Sequence, residues 1–119
     1  MQRITIAEKF DSFTDHWHPR VVAELNGQQI KVVKVRGSFD WHHHDDEDEA
    51  FLVHRGRFRM EFRDRSVQLE AGDLIVVPRG VEHRPVADEE AEIILFEPAT
   101  TLNTGNVRSD RTRDRLEHI

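Results

Sequence analysis

The stretch WHHHDDEDE, Trp41–Glu49, is the most informative part of this sequence, because it sets three histidines directly before five acidic residues. On a strand, alternate side chains share a face, so His42 and His44 can present two imidazoles to one ion while His43 points away. Neighbouring carboxylates repel one another, and one that is drawn inward needs a cation or a proton to offset its charge. Taken alone, the stretch fits a metal site and a solvated acidic loop equally well.

A further histidine follows an apolar run in the stretch GDLIVVPRGVEH, Gly72–His83. The run Leu74–Val77 is typical of a strand that is buried on both faces, and it stops at the turn Pro78-Arg79-Gly80. His83 comes three residues after this turn and is placed to point back toward the interior. A lone histidine of this kind is more often structural than a ligand, but here it gives the first stretch a candidate partner.

The rest of the central sequence alternates between apolar and polar side chains, as a sheet with one solvated face requires. Arg57–Arg63 and Ser66–Glu70 are the clearest cases and together predict a hairpin. Similar runs occur at Ile30–Val35 and Glu92–Phe96. Short strands at regular spacing, without clear helices between them, predict an all-β antiparallel sandwich or barrel.

Both ends of the chain depart from this strand pattern. Near the start, Ile6, Phe10 and Phe13 recur at helical spacing and predict a short helix or turn over an edge of the core. Near the end, Ser109 is placed to cap a short helix that ends near Leu116. We therefore expect short N-terminal and C-terminal helical segments around the sheet.

Composition excludes several classes of protein and site. The chain has 119 residues, no cysteine and a formal net charge of −6, and this length predicts a single domain over residues 1–119 with a core at about 28–98. Without cysteine there is no disulfide scaffold or thiolate zinc site, so a metal must be held by nitrogen and oxygen. The acidic charge argues against a nucleic-acid partner. Since no apolar run approaches the roughly 18 residues of a membrane helix, we expect no membrane partner and a cytoplasmic location.

The spacing of glycines, histidines and a glutamate connects the two histidine stretches. Around the first, four residues separate Gly37 from His42-x-His44, four more precede Glu49, and another six precede Gly56. This pattern resembles the first motif of the cupin superfamily, which reads Gly, five residues, His-x-His, three or four residues, Glu, six residues, Gly. The chain has one residue fewer than usual after Gly37.

The second stretch is similar to the other cupin motif, which reads Gly, five residues, Pro-x-Gly, two residues, His and, four positions later, Asn. Gly72, Pro78, Gly80 and His83 match it, and Ala87 replaces the final Asn. The two motifs cover Gly37 to about Ala87. The sequence is thus identified as similar to small single-domain cupins, which implies a conserved antiparallel β-barrel or jelly roll.

The resemblance also implies a set of ligands for one divalent metal ion, namely His42, His44, Glu49 and His83. Asp48 is an alternative carboxylate, because some small cupins take this ligand one position earlier. Three imidazoles and a carboxylate suit Mn, Fe, Co, Ni, Cu or Zn, and the sequence does not choose among them. Four protein ligands on an octahedral ion leave two positions open, which is typical of a catalytic site.

Three functions agree with these features. The first is a metal-dependent enzyme that acts on a small organic molecule, with the chemistry of a dioxygenase, a sugar-phosphate isomerase or epimerase, or a decarboxylase. The second is a non-catalytic module that binds or senses a small molecule, and it is supported by the lack of a recognisable general base beyond the ligands. The third is a barrel with a purely structural ion, which open coordination positions make the least favoured. The fold alone does not name a reaction.

Apolar side chains suggest where a ligand and a second subunit would lie. Alternation places five side chains either along a small apolar pocket or, as is more common, in the core: Phe51, Val53, Phe58, Met60 and Phe62. We also expect a homodimer, because a small sheet has edges to cover and the N-terminal segment with Phe10, Phe13 and Trp17 is too apolar to be left exposed. That segment, or Ile30–Val35, is predicted to lie at the interface.

Overall fold

The computed structural model describes all residues, Met1–Ile119, and consists of one short helix and seven strands. In chain order the elements are α1 (Ile6–Asp11), β1 (Arg20–Leu25), β2 (Gln28–Ser38), β3 (Glu49–Arg55), β4 (Arg57–Phe62), β5 (Ser66–Glu70), β6 (Leu74–Val77) and β7 (His83–Pro98). The only helix has six residues, and none is long and apolar enough to cross a membrane.

Strand β7 organises the sheet, because its 16 residues pair with three other strands. Its first residues pair with β4, its later residues pair with β3, and β2 runs along most of its length. All pairings between strands are antiparallel, which confirms the predicted all-β jelly-roll architecture. The sheet order β1-β2-β7-β3-β6, with the β4–β5 hairpin attached through β7, leaves β1 and β6 as edges, so the sheet does not close into the barrel that was the alternative prediction.

The predicted hairpin is present, whereas the predicted burial of β6 is wrong. β4 and β5 pair in register, with Phe58 opposite Leu69. β6 was expected to be buried on both faces, yet the side chains of Leu74 and Val76 are 61% and 54% exposed. Exposure alternates along β6, since Val77 is buried while Leu74 and Val76 share the other face, which faces solvent.

The core lies inside the curved sheet, and the helix covers part of the outside. Alternate residues of β2 and β7, among them Val33, Val35 and Ile93, point into a cluster of twelve buried side chains. On the opposite face of β2, Val32 packs against Phe10 and Phe13. The N-terminal helix is thus confirmed, and these two aromatic side chains are covered by their own chain, which removes them as an argument for a dimer.

The predicted C-terminal helix is wrong, because residues 101–119 form turns and an extended end. The hydroxyl of Ser109 donates to Asp40 Oδ2 at 2.6 Å instead of capping a helix. Farther along, the amide of Val21 donates to Glu117 O and the amide of Ile119 donates to Val21 O, so the last residues lie beside β1. Contacts with distant parts of the chain therefore override the local helical preference.

Candidate metal centre

Three different parts of the fold bring the predicted ligands together. Glu49 is the first residue of β3 and His83 is the first residue of β7. His42 is joined to His83 by two backbone hydrogen bonds, of 3.1 and 2.9 Å, in an isolated antiparallel bridge. His44 lies in the loop between β2 and β3, where its carbonyl accepts a 2.7 Å hydrogen bond from the amide of Gly80.

The side chains of His42, His44, Glu49 and His83 form one compact buried cluster. One nitrogen or oxygen of each lies within 4.8 Å of those of the others. All four residues are buried, with exposed fractions of 1–5%. Glu49 Oε1 is central, at 2.9 Å from His44 Nε2 and 3.2 Å from His83 Nε2.

Hydrogen bonds to backbone carbonyls fix the orientation of two of the imidazoles. The Nδ1 atom of His42 lies 2.8 Å from the carbonyl oxygen of Asp40, and that of His83 lies 2.8 Å from the carbonyl oxygen of Val81. A carbonyl can only accept, so each Nδ1 carries a proton, and it is Nε2 that faces the cluster. This is the tautomer that a metal-binding histidine requires.

The cluster contains polar atoms that the protein itself does not satisfy. His44 Nε2, His83 Nε2 and Glu49 Oε1 are fully buried and have no hydrogen-bond partner of acceptable geometry, although they lie close to one another. Buried polar groups are normally paired, so convergent unpaired nitrogen and oxygen atoms require an explanation. A divalent cation held by nitrogen and oxygen ligands would satisfy these atoms together, and the donor set fits such an ion.

The protonation of the cluster also agrees with a cation site. Burial, together with the nearby His83, lowers the pKa of His42 to about 4, so its ring stays neutral at ordinary pH. Burial on its own would raise the pKa of Glu49, but the close approach of the Glu97 carboxyl group and of the His44 and His83 rings outweighs burial and holds that pKa well below the usual range. The cluster thus combines neutral imidazole with an ionised carboxylate, the states in which these groups bind metals.

The structure adds two residues that the sequence analysis missed, Glu97 and Lys31. The carboxyl group of Glu97 is buried beside Glu49, and its Oε1 accepts a 2.7 Å hydrogen bond from Lys31 Nζ. Burial and the neighbouring charge of Glu49 raise the pKa of Glu97 well above its usual range. The alternation of the strands places Lys31 on the same side of β2 as the core residue Val33, and Glu97 on the same side of β7 as the core residue Leu95. The two residues are 66 positions apart, however, so the sequence does not reveal that they pair.

A small cavity of about 50 Å³ lies beside the cluster and opens to solvent. His42, Glu49 and Glu97 contribute polar groups to it, and most of the remaining wall is apolar: Trp17, Pro19, Val33, Val35, Phe39, Phe51, Pro85, Ile93 and Leu95. Of the five side chains predicted to line a pocket or fill the core, only Phe51 lines this cavity. Three of the others, Val53, Phe58 and Met60, are fully buried in the core.

The remaining residues of the acidic stretch lie outside the cluster. The alternative ligand Asp48 is exposed, and its Oδ1 accepts a 2.8 Å hydrogen bond from the amide of Arg79. His43, which the alternation places on the other side, has its Nε2 at 2.9 Å from Asp45 Oδ1. Of the two carboxylates considered, the structure therefore brings Glu49, and not Asp48, to the three histidines.

Comparison with known proteins agrees with this architecture. The family model described as "Cupin domain" matches residues 29–97. A cupin-2 domain-containing protein from Shewanella frigidimarina NCIMB 400 has a similar crystal structure, with a TM-score of 0.79 and 49% identity over 80% of this chain and 93% of that chain.

Two relatives are similar in sequence. YdbB, an uncharacterized protein of Bacillus subtilis, is 31% identical over 87 residues, which are 64% of this chain and 77% of YdbB. An acireductone dioxygenase of Phaeosphaeria nodorum is 32% identical over 96 residues, or 72% of this chain. The match spans 54%, about half, of that dioxygenase.

Proposed function

Because this chain belongs to the cupin family, we propose that it is a metal-dependent enzyme that acts on a small organic molecule in the cavity beside His42 and Glu49. The observation that carries the proposal is the convergence of three unpaired, fully buried ligand atoms in a cluster whose His42 and Glu49 also line an apolar cavity. His42, His44, Glu49 and His83 would hold the ion. This ligand set suits Mn, Fe, Co, Ni, Cu or Zn.

A divalent ion supplies a Lewis acid for a substrate oxygen and, if it is redox-active, a route to oxygenation. The protein contributes a set of imidazoles, of which His42 and His83 are oriented by the carbonyls of Asp40 and Val81. The apolar wall excludes water from the substrate and strengthens every electrostatic contact inside the cavity. Glu97 borders the same cavity and is the group nearest to the ligands that can exchange a proton with a substrate.

The charge of the cavity wall favours a neutral substrate. No lysine or arginine lines the cavity, and Lys31, the nearest buried base, is engaged by Glu97. A phosphate group is usually held by arginine, lysine or a helix N-terminus, and none of these is present in the wall. Oxygenation of a neutral, partly apolar molecule is therefore favoured over sugar-phosphate chemistry, and the sequence similarity to a dioxygenase supports the same choice.

The first experiment is elemental analysis of the purified protein, with variants that separate the cluster from its surroundings. We expect about one equivalent of a divalent metal in the wild type, loss of the metal in His42→Ala, and retention in the matched control His43→Ala, because only His42 belongs to the cluster. A wild type that stays free of metal even after reconstitution would refute the proposal.

Oxygen uptake and substrate loss, measured with matched neutral and phosphorylated hydroxyketones, then test the reaction. We expect turnover only with neutral compounds and only in metal-loaded protein. Tight binding of such a compound without turnover would instead identify a non-catalytic binding module, which the mostly apolar wall also suits. A homodimer and a cytoplasmic location remain predictions from the sequence.

A further inference from the structure

The C-terminal segment, residues 101–119, lies beyond the part of the chain that the family model matches and packs against the loop that carries His42 and His44. We propose that this segment completes the metal site, with Ser109 and Arg111 acting as positioning residues that hold His42 through Asp40. The inference rests on the proposed metal binding. It concerns residues that touch neither the ion nor a substrate and that fix a ligand from outside.

Asp40 links the segment to the histidine. Its carbonyl oxygen lies 2.8 Å from His42 Nδ1, while its carboxylate accepts hydrogen bonds from Ser109 Oγ at 2.6 Å and from Arg111 Nη1 at 3.0 Å. Both carboxylate oxygens are therefore engaged by the C-terminal segment. Since these contacts hold Asp40 in place, they also hold the carbonyl that sets the tautomer and rotation of the His42 ring.

A second contact fixes the backbone of the same loop. The amide of Asn106 donates to the carbonyl of His43 at 3.0 Å, and the amide of His43 donates to Asn106 Oδ1 at 2.8 Å. The neighbouring Gly105, at φ +57°, lies so close that a Cβ there would clash with the carbonyl of His43 and come to 3.1 Å from Cδ2 of the His42 ring. The C-terminal segment therefore contacts the chain both before and after His42, at Asp40 and at His43.

The segment is itself anchored, so it can act as a rigid support. The hydroxyls of Thr104 and Thr112 hydrogen-bond at 2.7 Å, and Thr104 is fully buried. The side chain of Asn103, which lines the cavity, donates to the carbonyl of Arg111 and accepts from the amide of Arg113. These bonds close residues 103–113 into a loop that connects the cavity wall to Asp40.

Loss of these contacts has a specific expected effect. Without Ser109 Oγ and the Arg111 guanidinium, the Asp40 carboxylate loses both of these partners, and the backbone carbonyl that orients the His42 ring is held less firmly. Mutation of groups that orient a metal ligand from outside typically lowers metal affinity by about 10- to 100-fold. We expect this loss to appear mainly as faster release of the ion, since the path to the site is unchanged.

Co²⁺ titration of the full chain, followed by visible absorbance, tests the inference because the spectrum reports both affinity and ligand geometry. We expect the double variant Ser109→Ala, Arg111→Ala to bind Co²⁺ about 10- to 100-fold more weakly, with an altered spectrum. Arg111→Lys, which keeps a donor and a charge, should restore part of the affinity. The matched control is Arg108→Ala, which removes an exposed ion pair with Asp114 in the same segment and should bind Co²⁺ as the wild type does.

The outcomes distinguish this inference from the proposed function. If the wild type binds no Co²⁺, the metal site fails and the inference fails with it. If the wild type binds and the double variant binds equally well with the same spectrum, only the inference is overturned. Should the double variant not fold, Asn106→Ala tests the second contact alone. Unchanged Co²⁺ affinity in that variant, with or without a lower melting temperature, would assign the segment a purely structural role.

Discussion

Acidification should destabilise the metal-free protein through His42. The pKa of this residue is lowered from 6.5 to about 4 in the fold, first by burial and then by the nearby His83. The unfolded chain therefore binds a proton at a pH where the folded protein does not. A lowered folded-state pKa means that the stability is fully present above pH 6.5 and is lost as the pH falls from 6.5 toward 4.

The expected magnitude follows from the size of this shift. At roughly 1.4 kcal/mol per pKa unit, a difference of about 2.5 units removes about 3 kcal/mol of stability between pH 7 and pH 4. This is a large part of the 5–15 kcal/mol, roughly, that stabilises a typical small domain. The effect should be measured without metal, because a bound ion would add its own pH dependence.

Urea unfolding at a series of pH values, with chelator present, measures the effect, and His42→Gln is the reference because its side chain does not titrate. Carboxylates such as Glu49 contribute their own pH dependence to both proteins, so the difference in unfolding free energy between them isolates His42. We expect this difference to be constant above pH 7. By pH 4 the wild type should have lost about 3 kcal/mol of unfolding free energy relative to the variant. Parallel curves for the two proteins would refute the argument that His42 is buried in its neutral form.

Three other outcomes are expected. Lys31→Met should cost about 3 kcal/mol in urea unfolding, because it leaves Glu97 buried without its 2.7 Å donor, and adding Glu97→Gln should recover part of the loss; equal stability of Lys31→Met and the wild type would contradict a buried pair. Gly105→Ala should destabilise the protein by about 1–3 kcal/mol in the same assay, because its φ is +57° and a Cβ there clashes with the carbonyl of His43; a neutral effect would show that the C-terminal loop moves freely. Light scattering should give about twice 14.0 kDa for a homodimer. The apolar edge strand β6, with its exposed Leu74, is a surface that a second subunit would cover. A mass near 14 kDa would refute the dimer.

Sequence patterns predicted most of the sheet, and the resemblance to the two cupin motifs supplied the residues of the cluster. The two-residue spacing predicted that His42 and His44 can face one ion, although both lie in the loop between β2 and β3 and not on a strand. The Pro-x-Gly turn predicted that His83 points back toward the interior, where it is buried. Two-residue alternation also predicted the β4–β5 hairpin. The strand and hairpin patterns are set by nearby residues, whereas the approach of His83 to His42 depends on the folded chain.

The features that the sequence did not predict depend on contacts between distant residues. Ser109 has the local chemistry of a helix cap, yet its hydroxyl bonds to Asp40, 69 residues away. The Lys31–Glu97 pair spans 66 residues, and neither residue stands out within its own strand. β6 reads as fully buried from its apolar composition, but its edge position is set by the order of strands in the sheet.

These long-range contacts explain how the candidate site can be ordered before an ion binds. The backbone of His42 is tied to β7 through His83, that of His44 to the turn before β7 through Gly80, and that of His43 to the C-terminal segment through Asn106. Each histidine in the loop is therefore held by a different part of the chain. Because little of this loop remains to be ordered, little of the binding free energy of an ion is spent on ordering it. The loop is irregular in secondary structure, yet hydrogen bonds tie the backbone of each of its three histidines to another part of the chain, which is the kind of support that a metal site built on a loop requires.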